Sequence, residues 1–96
     1  MAKGYWIVRV SVRNAEKYPD YLKAAKPAFE AHKAKFLVRG GDFELKEGQA
    51  RDRNVVVEFP DVETATACYV SDAYQAARQI RIANADADFL IVEGAA

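Results

Sequence analysis

The 96-residue chain predicts an α+β domain with strands and helices in the order β-α-β-β-α-β. Three observations lead there. Four runs, Tyr5–Val12, Phe36–Arg39, Asn54–Phe59 and Asp88–Glu93, are rich in the β-branched and aromatic residues that suit a pleated surface. Apolar residues recur at helical spacing in the two long intervals between them, at Tyr18, Tyr21, Leu22, Ala25, Phe29 and His32, and again from Val62 onward. The composition, 51% apolar and 29% charged, is that of a chain able to bury a core rather than stay disordered.

Each element has its own signals. Asn14 follows the first strand as a helix N-cap. Pro19 suits only a first-turn position, so a short turn over Ala15–Tyr18 and a main helix from Pro19 are expected. Pro27 lies deeper, where it removes one backbone hydrogen bond and should bend the helix. Gly40-Gly41 after the second strand marks a bulge or sharp bend, with the strand resuming over Phe43–Lys46 and a turn at Glu47-Gly48-Gln49. Pro60-Asp61 ends the third strand, and Asp61 can cap a helix whose apolar face is Val62, Ala65, Cys68 and Tyr69. Ser71 is a second N-cap, with Asp72 placed favourably for the helix dipole, and the helix restarts there and runs to about Asn84.

This order is the ferredoxin-like sandwich: a four-stranded antiparallel sheet with two helices on one face, here expected as a single domain over residues 1–96. Strands one and three are expected as its parallel central pair. Trp6, Val8, Val10 and Val12 alternate with Tyr5, Ile7, Arg9 and Ser11, and Val55, Val57 and Phe59 alternate with Asn54, Val56 and Glu58. The wholly apolar sets belong under the helices. The mixed sets face outward, yet Tyr5, Ile7 and Val56 make that face too apolar for ordinary solvation. A second copy of the sheet would cover it, giving a homodimeric α/β barrel. Arg9 and Glu58 would then pair across adjacent strands, because a buried carboxylate without a partner is costly.

Charge and cysteine content exclude several functions. Fourteen Lys and Arg balance fourteen Asp and Glu, so no nucleic acid or anionic membrane is expected as a partner. One cysteine, Cys68, allows no internal disulfide and fits a reducing compartment. The first residues show no basic-then-apolar leader, and no apolar run approaches the roughly 20 residues of a membrane span. A cytoplasmic protein is the expectation.

Several groups could carry chemistry. Tyr74, Arg78 and Arg81, at i, i+4 and i+7, share one stripe of the second helix, and two guanidiniums with a phenol can hold a carboxylate or other anion. Against this stands the ordinary role of cations near a helix C-terminus, paired with Asp86 or Asp88. Arg9 and Glu58, with Arg39, form a second candidate. Facing sheets could enclose them, and burial could raise Glu58 into the range of a general base. The simpler role is a structural ion pair.

His32, the single histidine, could shuttle protons but ends an apolar stripe and lacks an oriented partner. Nor is there a second His or clustered Cys to build a metal site. Cys68 reads as a small buried hydrophobe and Trp6 as core, while Tyr69 could touch a pocket. Gly40-Gly41 lacks the third glycine and the following helix of a dinucleotide loop, so no cofactor is expected. RNA-recognition modules carry stacking aromatics on the third strand, where this chain has Val55, Val56 and Val57.

Taken together, Tyr18-Pro19-Asp20-Tyr21, Phe36-Leu37-Val38-Arg39-Gly40-Gly41, Glu47-Gly48, Arg53-Asn54-Val55-Val56-Val57-Glu58-Phe59-Pro60, Ala67-Cys68-Tyr69, Ser71-Asp72-Ala73-Tyr74-Gln75, Arg78 and Val92-Glu93-Gly94 resemble the DUF1330 family across nearly the whole chain. Asp72 stands where that family usually has proline, and it suits a first helical turn equally well. The resemblance implies a dimeric α/β barrel and imports no reaction. Related barrels include cofactor-free monooxygenases and haem-degrading enzymes, a fold-level analogy only. Two functional classes follow. One is a cofactor-independent enzyme acting on a small anionic or aromatic metabolite. The other is a non-catalytic dimer that binds a small ligand or serves a structural role.

Overall fold

In the computed structural model, which describes residues 2–95, the first strand, β1 (Gly4–Val12), lies inside a four-stranded sheet. Met1, which opens the stretch read for a leader, lies outside the described residues. Helix α1 (Tyr18–Ala31) follows, then β2 (Lys35–Arg39) and β3 (Arg53–Phe59). Helices α2 (Val62–Val70) and α3 (Asp72–Asn84) lead directly into β4 (Ala85–Glu93). The strand order is β2-β3-β1-β4 and every neighbouring pair is antiparallel.

The central pair therefore runs antiparallel, not parallel. The crossover through α1 returns β2 in the direction of β1, and the β2–β3 connection reverses it once more. One consequence is the register. Tyr5 sits opposite Glu58 and Arg9 opposite Asn54, so Arg9 and Glu58 are not neighbours across the strands. Glu58 instead accepts from the Tyr5 hydroxyl at 3.2 Å and lies 3.8 Å from Lys3 Nζ. Arg9 pairs with Asp88 on β4 at 3.6 Å, with both side chains exposed.

Caps set the helix boundaries. Asp61 Oδ1 accepts from Thr64 N at 2.7 Å, and Ser71 Oγ accepts from Tyr74 N at 3.2 Å, as their positions predicted. Ser71, extended at ψ 148°, breaks the second helical stretch into two pieces. Asn14 does less than expected. Its side chain accepts from Glu16 N and closes a turn, while α1 starts at Tyr18 with no side-chain cap.

The segment 43–46 forms no strand. Gly40, at φ +66°, donates to Asn54 O in the last bond of the β2–β3 ladder. Since β3 begins at Arg53, the chain before it has no strand to pair with, and residues 41–52 form an irregular loop that leaves Phe43 and Leu45 exposed.

The core lies where the alternation placed it. Trp6, Val8, Val10, Val57 and Phe59 are buried beneath the helices with Ala25, Ala65, Cys68, Tyr74 and Ala77. Trp6 is its hub, with ring centroids 4.8 Å from Phe89, 4.9 Å from Tyr74 and 5.1 Å from Phe59. Its indole N–H donates to Ala65 O at 2.9 Å, so the polar end of the ring is satisfied.

Helix α1 packs on α3 rather than directly on the strands, and this stand-off leaves space between α1 and the sheet. The opposite face of the sheet carries Tyr5, Ile7, Val56, Val38, Leu90 and Val92 in one register. Leu90 is 58% exposed there, with Ile7, Val38 and Val92 also open.

Candidate functional site

The space under α1 is a cavity of about 300 Å³. Its floor is Trp6, Val8 and Val10 of β1 with Val55 and Val57 of β3, the inward sets of two alternating strands. Its roof is Tyr18, Tyr21, Leu22 and Phe29, which α1 presents at i, i+3, i+4 and i+11. Four cations, Lys26, Arg39, Arg53 and Arg81, line it, and no carboxylate does.

These cations arrive by different routes. Arg53 starts β3 in phase with Val55, Val57 and Phe59, so the pleat turns it inward. Arg39 follows a register shift in β2 between Phe36 and Val38, which brings it opposite inward-facing Val55. Its guanidinium carbon lies 3.9 Å from the Phe36 ring centroid. Arg81 lies seven residues after Tyr74 and four after Ala77, on the buried stripe of α3. It is only 6% exposed, the one charged residue in the buried set. Its guanidinium carbon stands 5.9 Å from the Tyr21 ring and 5.7 Å from the Phe89 ring.

Glycine at position 40 has a clear purpose beside this cluster. A side-chain carbon built there would collide with the Arg53 guanidinium, so Gly40 provides the room in which Arg53 lies.

The phenols here are neutral donors. Tyr21 and Tyr74 hydroxyls are 2.8 Å apart and buried. Burial, reinforced by the neighbouring Tyr74, pushes Tyr21 well above the ordinary tyrosine value. Burial also raises Tyr74 and Tyr18, opposed at Tyr74 by Arg81 and at Tyr18 by both Arg53 and Arg81. The site can therefore hold an anion with cations and neutral O–H groups while apolar walls take the rest of the molecule.

The residues singled out in the sequence fall into five places. Arg39 and Arg81 line the main cavity. Tyr74 lies fully buried behind it, bonded to Tyr21. Arg78 and Tyr69 line a second, more open cavity of about 350 Å³ with Arg51, Asp86 and Phe89, and Arg81 lies between the two cavities. Arg78 lies 5.9 Å from the Tyr69 ring centroid. Arg9 and Glu58 are on the outer sheet face, and neither lines the space beneath α1. His32 ends α1, its Nδ1 2.8 Å from Ala28 O, and lines neither cavity.

Tyr18, Tyr21, Lys26 and Arg53 were missing from the sequence-derived candidates. The signal for Arg53 was present, since a charged residue in phase with an otherwise apolar strand face is out of place unless something meets it. Among the described residues no group of three or more His, Cys, Asp or Glu could hold a metal ion, and no helix is long and apolar enough to cross a membrane.

The four-stranded antiparallel sheet, with its helices on one face, places the chain in the ferredoxin-like class of α+β folds. Within it, this chain belongs to the DUF1330 family, a domain of unknown function, which it matches over residues 3–95. Among solved structures, it is similar to a protein of unknown function from Rhodopseudomonas palustris, with 21% identity and a TM-score of 0.79 over 99% of this chain and 84% of that one. It is also similar to SnoaB, a cofactor-independent oxygenase from Streptomyces nogalater, with 10% identity and a TM-score of 0.66 over 100% and 96%. A dimeric ferredoxin-like protein of unknown function from Bacteroides fragilis aligns with 16% identity and a TM-score of 0.56 over 95% of each chain. At these identities the likeness is one of fold. No curated relative matches the chain.

Proposed function

We propose that this protein is a cytoplasmic homodimer of the α/β-barrel type that acts, without a cofactor, on a small anionic or aromatic metabolite held under α1. One observation carries the reading: four cations and no carboxylate line a cavity whose remaining walls are aliphatic and aromatic. Such a site takes a molecule that is apolar over most of its surface and acidic at one end. The fold it shares with a cofactor-independent oxygenase supports an enzymatic role by analogy alone. The exposed Ile7, Val38, Leu90 and Val92 on the outer face support pairing of two sheets. A single buried thiol fits a reducing compartment.

The reaction would use residues already in place. Arg39, Arg53 and Arg81 orient the acidic group, and the Tyr18 and Tyr21 hydroxyls donate to oxygen as charge develops on it. No nucleophile with an adjacent base lines the cavity, which favours chemistry driven by the substrate's own ionisation.

The same observation supports a second reading, a non-catalytic binding protein. The two are separated by incubating the protein aerobically with a panel of aromatic acids, phenols and short keto acids. Mass spectrometry and an oxygen electrode follow conversion, and thermal melting follows binding. Conversion of any compound, lost in Arg81→Gln, establishes the enzyme. Raised melting temperatures with no product establish the binding protein. Neither response to any compound would remove the cavity reading altogether.

A further inference from the structure

Resting on the reading of the space under α1 as the binding site, we infer that its ligand is an aromatic carboxylate, the carboxylate held between the guanidiniums of Arg53 and Arg81 and the ring lying among Phe29, Phe36 and Val55. Arg81 is buried near the C-terminus of α3, where the neighbouring carboxylates and end carbonyls are bonded to other cations.

Carbonyls at the end of α3 are taken by Arg13, whose guanidinium donates to Ile82 O at 2.6 Å and Ala83 O at 3.3 Å, and to Ala85 O at the start of β4 at 3.2 Å. Asp86 is paired with Arg13 at 3.3 Å, and Asp88 with Arg51 at 2.9 Å and Arg9 at 3.6 Å. Among the described residues no carboxylate forms an ion pair with Arg81, and its buried Nε has no acceptor. The guanidinium lines both cavities beside the Tyr74 hydroxyl and two aromatic faces, and an anion in the main cavity would supply the counter-charge that the chain does not.

Arg53 repeats the pattern from the facing strand. Its Nε is also buried without an acceptor, and it lines the same cavity. Its guanidinium carbon stands 5.9 Å from the Tyr18 ring, and Tyr18, Arg53 and Arg81 all line the one cavity. Two planar donor forks beside one neutral hydroxyl suit a flat oxyanion with two equivalent oxygens, which a carboxylate provides. The ring assignment follows from the walls. Phe29 and Phe36 meet edge to face at 5.1 Å and line the cavity with Val55, and the Arg39 guanidinium carbon lies 3.9 Å from the Phe36 ring centroid, so this end joins aromatic and aliphatic wall to one further cation.

Calorimetric titration with 2-naphthoate, its neutral isostere 2-naphthamide, and acetate tests this. We expect 2-naphthoate to bind at least tenfold more tightly than 2-naphthamide, and acetate more weakly than either. Arg53→Gln and Arg81→Gln should each bring naphthoate down to naphthamide. Equal affinity for naphthoate and naphthamide in the wild type would overturn the carboxylate assignment while leaving the cavity as a binding site. Absence of heat or thermal shift with all three would overturn both.

Folding of the Arg81 variants is itself informative. If the cation is kept for a ligand, Arg81→Met in the ligand-free protein should melt at a higher temperature than wild type, because an uncompensated buried charge has been replaced by an apolar chain. A lower melting temperature would make Arg81 a member of the core's own structure and overturn the assignment.

Discussion

Cys68 lies at the bottom of the core, fully buried, with its Sγ 3.6 Å from Ala28 O. Burial pushes its thiol up to about 12, so at neutral pH it is protonated and a poor nucleophile. The unfolded chain ionises its thiol near 9, so this group withdraws stability as pH rises from about 9 toward 12. Iodoacetamide at pH 8 should leave the native protein unmodified and alkylate it at one site in urea, as read by intact mass. Rapid labelling of the native state would contradict the packing. Gly40 is the second residue on which much depends. Alanine there must adopt φ +66° and displace Arg53. We expect Gly40→Ala to lower stability by roughly 1–2 kcal/mol in urea melts, the usual cost of a left-handed backbone for a residue with a side chain.

At the scale of elements, the break between α2 and α3 depends on a single side chain. Ser71 Oγ accepts from Tyr74 N and donates to Cys68 O at 2.7 Å, joining the end of one helix to the start of the next. Ser71→Ala should cost about 1 kcal/mol, within the usual range for a lost N-cap, with the midpoint of urea unfolding lowered and its slope unchanged. Asp61 has the same role for α2, and its hydrogen bonds from Thr64 hold its carboxyl below the ordinary aspartate value of 3.8. Its folded value is depressed, so its contribution is fully present above the unfolded value and is lost as pH falls below about 4 through the folded one. Melting temperatures taken from pH 6 to pH 2 should fall less steeply in Asp61→Asn than in wild type, and identical slopes would show that the cap does not contribute.

At the scale of the molecule, the outer sheet face carries the expectation of a homodimer. Its apolar residues lie in one register across all four strands, with Leu90 58% exposed beside Ile7, its partner in β1. A small domain leaves a large share of its surface wet, and pairing two such faces adds buried area without lengthening the chain. Light scattering on the wild type should report twice the 10.7 kDa chain mass, and Leu90→Asp should shift it toward the single-chain value. A wild type at 10.7 kDa that remains stable would refute the dimer and leave the cavity under α1 untouched, because that cavity is lined from the opposite face.

Local rules were enough for the elements. Alternation in β1 and β3, the caps at Asp61 and Ser71, and the helical stripes at Tyr18 to Phe29 and from Tyr74 to Arg81 each state a period or a boundary that neighbouring residues enforce on their own. Half of the candidate site was legible in the same way, since Arg81 could be seen on the stripe of Tyr74. Strand direction, by contrast, comes from how crossovers close, and it alone separated Arg9 from Glu58. Pairing of a strand needs a partner, so Phe43–Lys46 could alternate in sequence and still remain a loop. The cavity exists because α1 rests on α3 and stands clear of the sheet, and its charge is unbalanced because the carboxylates of β4 lie on the outer face, paired with Arg9, Arg13 and Arg51. Period and capping act over a few residues and can be read along the chain. Partnership between distant groups is a competition that only the folded molecule resolves.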